Sequence, residues 1–215
     1  KFQEQFASMF WQSSPYGWPV VGWPSDLEGI TREEALTFFD TYYAPNNLAA
    51  ALVGDFDPDE AIELADRYFG RLSRGVRPPL EPRTREMPQL AEKRMVASAD
   101  TNPQVSIRYH SVRDGHVDEP PLVVLGQLLN GRTGRLYKAL VEEQEVATSA
   151  FGGQSGYKYE GMFELRGTAT QDSTPEEVES AIYTELDRLK NELVPERELQ
   201  KVKNQNAAGK LRDLG

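Results

Sequence analysis

The 215-residue sequence contains no cysteine. Disulfides, thiolate metal sites and a cysteine nucleophile are thereby excluded. Histidine is scarce as well, with only His110 and His116. No His-Glu-x-x-His occurs, so no zincin site lies within the chain. Long apolar runs are absent, and nothing approaches the roughly 18 residues of a spanning helix. The opening KFQEQFASMFWQSSPYGW lacks the layout of a signal peptide. Positive charge is in deficit, with 24 Lys and Arg against 34 Asp and Glu, a net charge of −10 and a pI near 4.8. Nucleic acid is therefore not an expected partner, because phosphate binding needs concentrated basic side chains. A surface of anionic lipid is disfavoured for the same reason.

What is present is ordinary for a globular protein: 39% apolar and 27% charged residues. Phe2, Phe6 and Met9-Phe10 recur at helical spacing, so residues 1–13 read as the end of a helix. The chain begins in mid-pattern at Lys1 and ends without terminal character at Leu214-Gly215, so both ends read as cuts in a longer protein. Residues 15–29 read as a loop. Thr31-Arg32-Glu33-Glu34 is a capping box opening a helix, which Ala44-Pro45-Asn46-Asn47 stops. LAAALVG (48–54) has the length and composition of a buried strand. Asp57-Pro58-Asp59-Glu60 predicts another helix start, with Asp as N-cap and Pro in the first turn.

Residues 75–90 hold four prolines and read as an extended linker. Strands are expected in KRMVASA and in QVSIRYHSV, where Val105, Ile107 and Tyr109 alternate. An apolar helix follows from Pro120 to Asn130, then a break at Gly131–Gly134, then a helix from Arg135 to Glu145. Val146–Phe151 and Met162–Thr170 read as paired strands around GGQSGYKYEG. Thr174-Pro175-Glu176-Glu177 caps a helix with Val178, Ile182, Leu186 and Leu189 on one face. Val194-Pro195 opens the last helix. This order predicts an α+β fold in two units, 1–74 and 91–215, with helices packed on mainly antiparallel sheets.

Few residues invite a chemical reading. His110 at a strand end and His116 in a turn would need a third ligand, and the nearest acids are Asp114, Asp118 and Glu119 in a loop. The plainer reading is of polar residues at a strand end. NGRTGR (130–135) lacks the Lys-Ser/Thr ending and the preceding strand of a phosphate loop, and reads as a glycine-containing helix break. FGGQSG (151–156) suits a turn between strands. The pairs Glu33-Glu34, Glu142-Glu143 and Glu176-Glu177 suit helix starts and faces. Trp11, Tyr16, Trp18 and Trp23 either line a binding surface or pin a loop to a core.

Two segments together resemble the insulinase/pitrilysin-like zinc metallopeptidases. The first is residues 13–72, with PYGWPVVG, FFDTYYAPNN, ALVGDFD and RYFGRL. The second is residues 128–170, where a turn precedes an RLY helix and a strand. The likeness is greatest to the smaller bacterial members, which are related to the mitochondrial processing peptidase. It implies a half-molecule of two similar α+β domains, truncated here. Residues 1–74 would be the back of the first domain, 75–90 the linker, and 91–215 most of the second, non-zinc domain.

The resemblance further implies a His-x-x-Glu-His motif and a downstream Glu ligand upstream of Lys1, so that zinc belongs to the parent protein and no metal or cofactor ligand to this stretch. Zinc would lower the pKa of bound water and the motif Glu would act as base. Complete members carry a substrate-contacting Arg and Tyr at the junction LVEEQEVATSAFGG (140–153). Aligned on that strand start, Val141 takes the Arg position and Thr148 the Tyr position, and neither replaces the lost donor. No catalytic residue is therefore expected in this chain. A peptide or unfolded-protein substrate, a homo- or heterodimeric arrangement with a related chain, and a periplasmic or envelope location follow as expectations. The alternative is a non-catalytic homologue or subunit with an assembly or peptide-binding role.

Overall fold

The computed structural model describes residues 2–79, 81 and 84–212, excepting the Lys210 side chain. Leu80, Pro82 and Arg83 of the expected linker, and the chain-end residues Lys1 and Leu214-Gly215, lie outside that set. Contacts divide the chain into two compact units, Gln3–Thr84 and Arg85–Gly215.

The first unit is helical wherever it is regular. Helix α1 spans Phe2–Phe10, and Trp11 just beyond it is buried. The indole meets the Phe10 ring edge-on at 4.7 Å and the Tyr16 ring at 5.6 Å, which fastens the PYG turn to the helix end. The expected loop 15–29 contains a short helix, α2 (Pro24–Gly29), started by Pro24 with Asp26 in the first turn. Helix α3 (Arg32–Tyr42) begins on the capping box, with Thr31 Oγ1 accepting from the Glu34 amide and Glu34 accepting from the Thr31 amide. Helix α4 (Pro58–Phe69) begins on Asp57, whose carboxylate accepts from the amides of Asp59 and Glu60. Between them, Leu48–Gly54 is not the strand its composition suggests. It is irregular, with Leu52 67% and Val53 97% exposed. A strand exists only through hydrogen bonds to a neighbour, and the described residues of this unit supply none.

The second unit holds a three-stranded antiparallel sheet in the order β1-β3-β2. Strand β1 is Gln104–Ser111, β2 Ala147–Gly156 and β3 Gly161–Ala169. Around it lie α5 (Glu119–Leu129), α6 (Arg135–Tyr137, continuing as a π-helix over Lys138–Glu143), α7 (Pro175–Asn191) and α8 (Glu196–Arg212). The core is Leu129, Leu136, Leu140, Phe163, Leu165, Val178 and Ile182, with Val105 and Ile107 packed against it from β1. Helix α7 opens on the expected capping box of Thr174 and Glu177.

Two expectations fail here. KRMVASA forms no strand, because no neighbour pairs with it among the described residues. FGGQSG is no turn, since it lies inside β2, and the chain reverses over Tyr157–Glu160 instead. The glycine composition has a packing cause. A Cβ on Gly152 would stand 2.9 Å from Leu129 Cδ1 and 3.2 Å from Leu136 Cδ1, so any side chain there collides with the core.

Candidate functional site

The junction between helix and strand, residues 138–149, concentrates the irregular backbone of the second unit. The helix opening at Arg135 widens into a π-helix from Lys138 to Glu143. Glu145 then adopts φ +54°, the one non-glycine with positive φ among the described residues. Strand β2 starts with a bulge: Ala147 stands opposite Ala169 and Ser149 opposite Thr168, leaving Thr148 as the extra residue. A π-turn, a left-handed residue and a bulge each recur near functional sites. Here they fall within a dozen residues.

The side chains at this junction carry little chemistry. Val141 is half-buried and packs against the core. The Thr148 hydroxyl is exposed and donates to the Thr168 carbonyl at 3.2 Å. Glu142, Glu143, Gln144 and Glu145 are exposed. The junction thus has the backbone contour of a site, with an aliphatic group at Val141 and an engaged hydroxyl at Thr148.

Two ion-pair systems brace the elements behind it. Arg135 grips Glu198 of α8 in a two-pronged pair, Nε to Oε1 at 3.0 Å and Nη2 to Oε2 at 2.8 Å. The hydrogen bonds from Arg135 hold the Glu198 carboxyl below its ordinary range. On the sheet, Glu164 is buried. Burial alone would raise its pKa, but bonds from Ser106 Oγ (2.7 Å), Arg166 Nη2 (2.9 Å) and Arg108 Nε (3.0 Å) outweigh that and lower it. Those partners sit on β1 and β3, so the carboxylate ties the two strands side to side.

The sequence's other candidates do not converge. His110 lies in β1 opposite Met162, and burial lowers its pKa. His116 lies in the following turn, where Nδ1 accepts from the Asp118 amide at 3.1 Å. The Glu119 carboxylate, another candidate ligand, accepts from the Gly115 amide at 2.7 Å. Among the described residues, no three His, Cys, Asp or Glu side chains are grouped as metal ligands. The described residues therefore do not fit a zinc site. NGRTGR is a helix break, with Gly131 at φ +75°. Of the aromatic group, Trp11 is buried and Trp18 is 73% exposed. Among the described residues, no helix is long and apolar enough to cross a membrane. The irregular backbone at 138–149 is the feature that sequence reasoning missed. Nothing in the composition of KALVEEQEVATS announces it, and Glu145 in particular stands where a glycine would have been the signal.

Residues 29–206 match the family model described as the peptidase M16 inactive domain. The chain is 26% identical over 198 residues to the zinc protease PqqE of Helicobacter pylori, covering 90% of this chain and 45% of that protein. In structure it resembles a protease from Helicobacter pylori, with a TM-score of 0.82 at 23% identity, covering 98% of this chain and 52% of that one. It also resembles the peptidase M16 inactive domain from Pseudomonas fluorescens, with a TM-score of 0.77 at 19% identity over 95% of this chain and 50% of that one. These structural likenesses show the fold. The chain spans about half the length of the relatives it matches. With the family model covering most of the chain and the α+β fold in agreement, this protein belongs to the peptidase M16 inactive-domain family.

Proposed function

We propose that this chain is the non-catalytic portion of a zinc metallopeptidase, that it supplies scaffold and part of the wall of a substrate chamber, and that it is inert alone. The observation that carries this reading is the junction at 138–149, whose backbone has the contour of a site while Val141 and Thr148 offer no free donor. On the family resemblance, we read those two residues as standing where complete members carry the substrate-contacting Arg and Tyr. Peptide or unfolded protein is the substrate class, a related chain the dimer partner, and the periplasm or cell envelope the location.

The test is to incubate the purified chain with an unstructured polypeptide and zinc, and to measure bound metal after dialysis. The expected result is no hydrolysis and no stoichiometric zinc. Chelator-sensitive cleavage by the chain alone would overturn the reading. A second reading, a non-catalytic homologue with an assembly or peptide-binding role, is favoured by the same lack of a free donor at Val141 and Thr148. The coding sequence ahead of Lys1 separates the two: an intact His-x-x-Glu-His supports the first, a degraded one the second.

A further inference from the structure

The helix break after α5 carries a chemically labile pair, Asn130 followed by Gly131. An asparagine side chain is open to attack by the amide nitrogen of the next residue, and a side chain on that residue hinders the approach. The chain has six other asparagines, and each precedes a residue with a side chain: Asn, Leu, Pro, Glu, Gln or Ala. Asn130 alone precedes a glycine. Gly131 is exposed at φ +75°, and a Cβ there would meet nothing within 4 Å, so water reaches the peptide. Among the described residues its N–H donates to no group, which leaves the nitrogen unengaged.

The other reactant is held. The Gly152 N–H donates to Asn130 Oδ1 at 2.8 Å, and Asn130 Nδ2 donates to the Gly152 carbonyl at 2.6 Å. Ring closure also needs the Gly131 nitrogen and Asn130 Cβ nearly eclipsed about the Cα–C bond, and ψ 162° keeps them apart.

We infer that Asn130 is a deamidation site, restrained in the folded chain by its two bonds to Gly152 and released when that end of α5 opens. The Gly131 amide gives its proton to hydroxide and its nitrogen bonds to Asn130 Cγ. The Cγ–Nδ2 bond breaks, and Nδ2 leaves as ammonia with a proton from water. Water then opens the five-membered imide, at Cγ to give aspartate or at the Asn130 backbone carbonyl to give isoaspartate. The aspartate still accepts from the Gly152 N–H but has no donor for the Gly152 carbonyl, which then faces a carboxylate oxygen. Gly126 packs so closely that a Cβ on it would stand 3.2 Å from Gly153 Cα, so α5 stays on β2 and the loss is confined to the helix end. Departure of ammonia makes the change one-way.

The experiment ages the whole chain at mildly alkaline pH, folded and in urea, and maps its peptides by mass spectrometry. Aspartate and isoaspartate are expected at Asn130 ahead of the other six asparagines, about tenfold faster in the unfolded chain than in the folded one. At sub-denaturing urea, loss of Asn130 and exchange of the Gly152 amide should rise together, because one opening exposes both. Gly131→Ala should slow the reaction severalfold, read in urea so that the strain of alanine at positive φ plays no part. Three results would each overturn the inference. One is modification of folded Asn130 no faster than of the other asparagines. Another is a rate that rises with urea while exchange at Gly152 does not. The third is an undiminished rate in Gly131→Ala.

Discussion

Glu145 holds a left-handed backbone conformation at φ +54° while its side chain is exposed. An L side chain in that region costs on the order of 1–2 kcal/mol relative to glycine. Nothing in the side chain's surroundings offsets the cost, so the turn is imposed by what precedes and follows it. Glu145→Gly is expected to stabilise the chain by about 1 kcal/mol, less than the full strain because glycine also frees the unfolded chain. Urea unfolding of parent and variant reads this directly, and a destabilised variant would show that the glutamate makes a contribution the strain argument omits.

Glu164 is the opposite case, a charge whose environment holds it ionised. Its folded pKa lies below its unfolded value. The stability it contributes is therefore present above the unfolded carboxylate range and is lost as pH falls through the folded value. Glu164→Gln removes the charge to which Ser106, Arg108 and Arg166 donate and should cost about 1.5–3 kcal/mol at neutral pH. The penalty should shrink as the solution is made acidic, because the parent loses the same charge. A penalty that does not vary with pH would mean that shape rather than charge sets the effect.

At the scale of elements, the helix starts were legible because their determinants are local. Thr31 with Glu34, Asp57 with Pro58, and Thr174 with Glu177 each satisfy amides within three residues of themselves. Strands were less legible, because a strand is defined by its neighbour. LAAALVG and KRMVASA have strand composition but no partner among the described residues, while GGQSG has turn composition and lies in β2 because it pairs with β3, Leu129 and Leu136 explaining only why Gly152 has no side chain. The π-helix and bulge of the candidate site were illegible for the same reason: packing sets them, and no residue type marks them.

The docking of α8 is a further tertiary fact, resting on Val202, fully buried, and on the Arg135–Glu198 pair. Charge-assisted hydrogen bonds of this partly buried kind contribute about 1.5–3 kcal/mol. Glu198→Gln cannot accept both guanidinium bonds, so it should lower global stability by an amount in that range and speed amide exchange within α8. Arg135→Lys should do nearly the same, since an ammonium cannot reproduce the two-pronged grip.

For the whole molecule, the decisive contrast is between the two units. The second has a core in which Leu129, Leu136, Leu140, Leu165, Val178 and Ile182 are sealed from solvent. In the first, burial is concentrated around Phe10, Trp11, Ser14, Gly17 and Ala44, while Phe39, Tyr43, Leu52, Val53, Ile62 and Phe69 each expose more than half of their surface. Buried apolar area is the main stabilising term in folding, at about 25 cal/mol per Å², so the two units cannot be equally stable. Local opening follows local burial. Native-state amide exchange should therefore find Leu165 and its neighbours in β3 exchanging only with global unfolding. The amides of α4 should exchange through much smaller openings, and those of 48–54, outside any regular element, should be nearly unprotected. Limited proteolysis should cut first between α3 and α4 and leave the second unit intact. The chain should also bind a hydrophobic dye in its native state, because the exposed aromatic and aliphatic side chains of α3, α4 and 48–54 remain accessible. A single cooperative transition with uniform protection across both units would contradict this. It would mean that the first unit draws its stability from something other than its own burial.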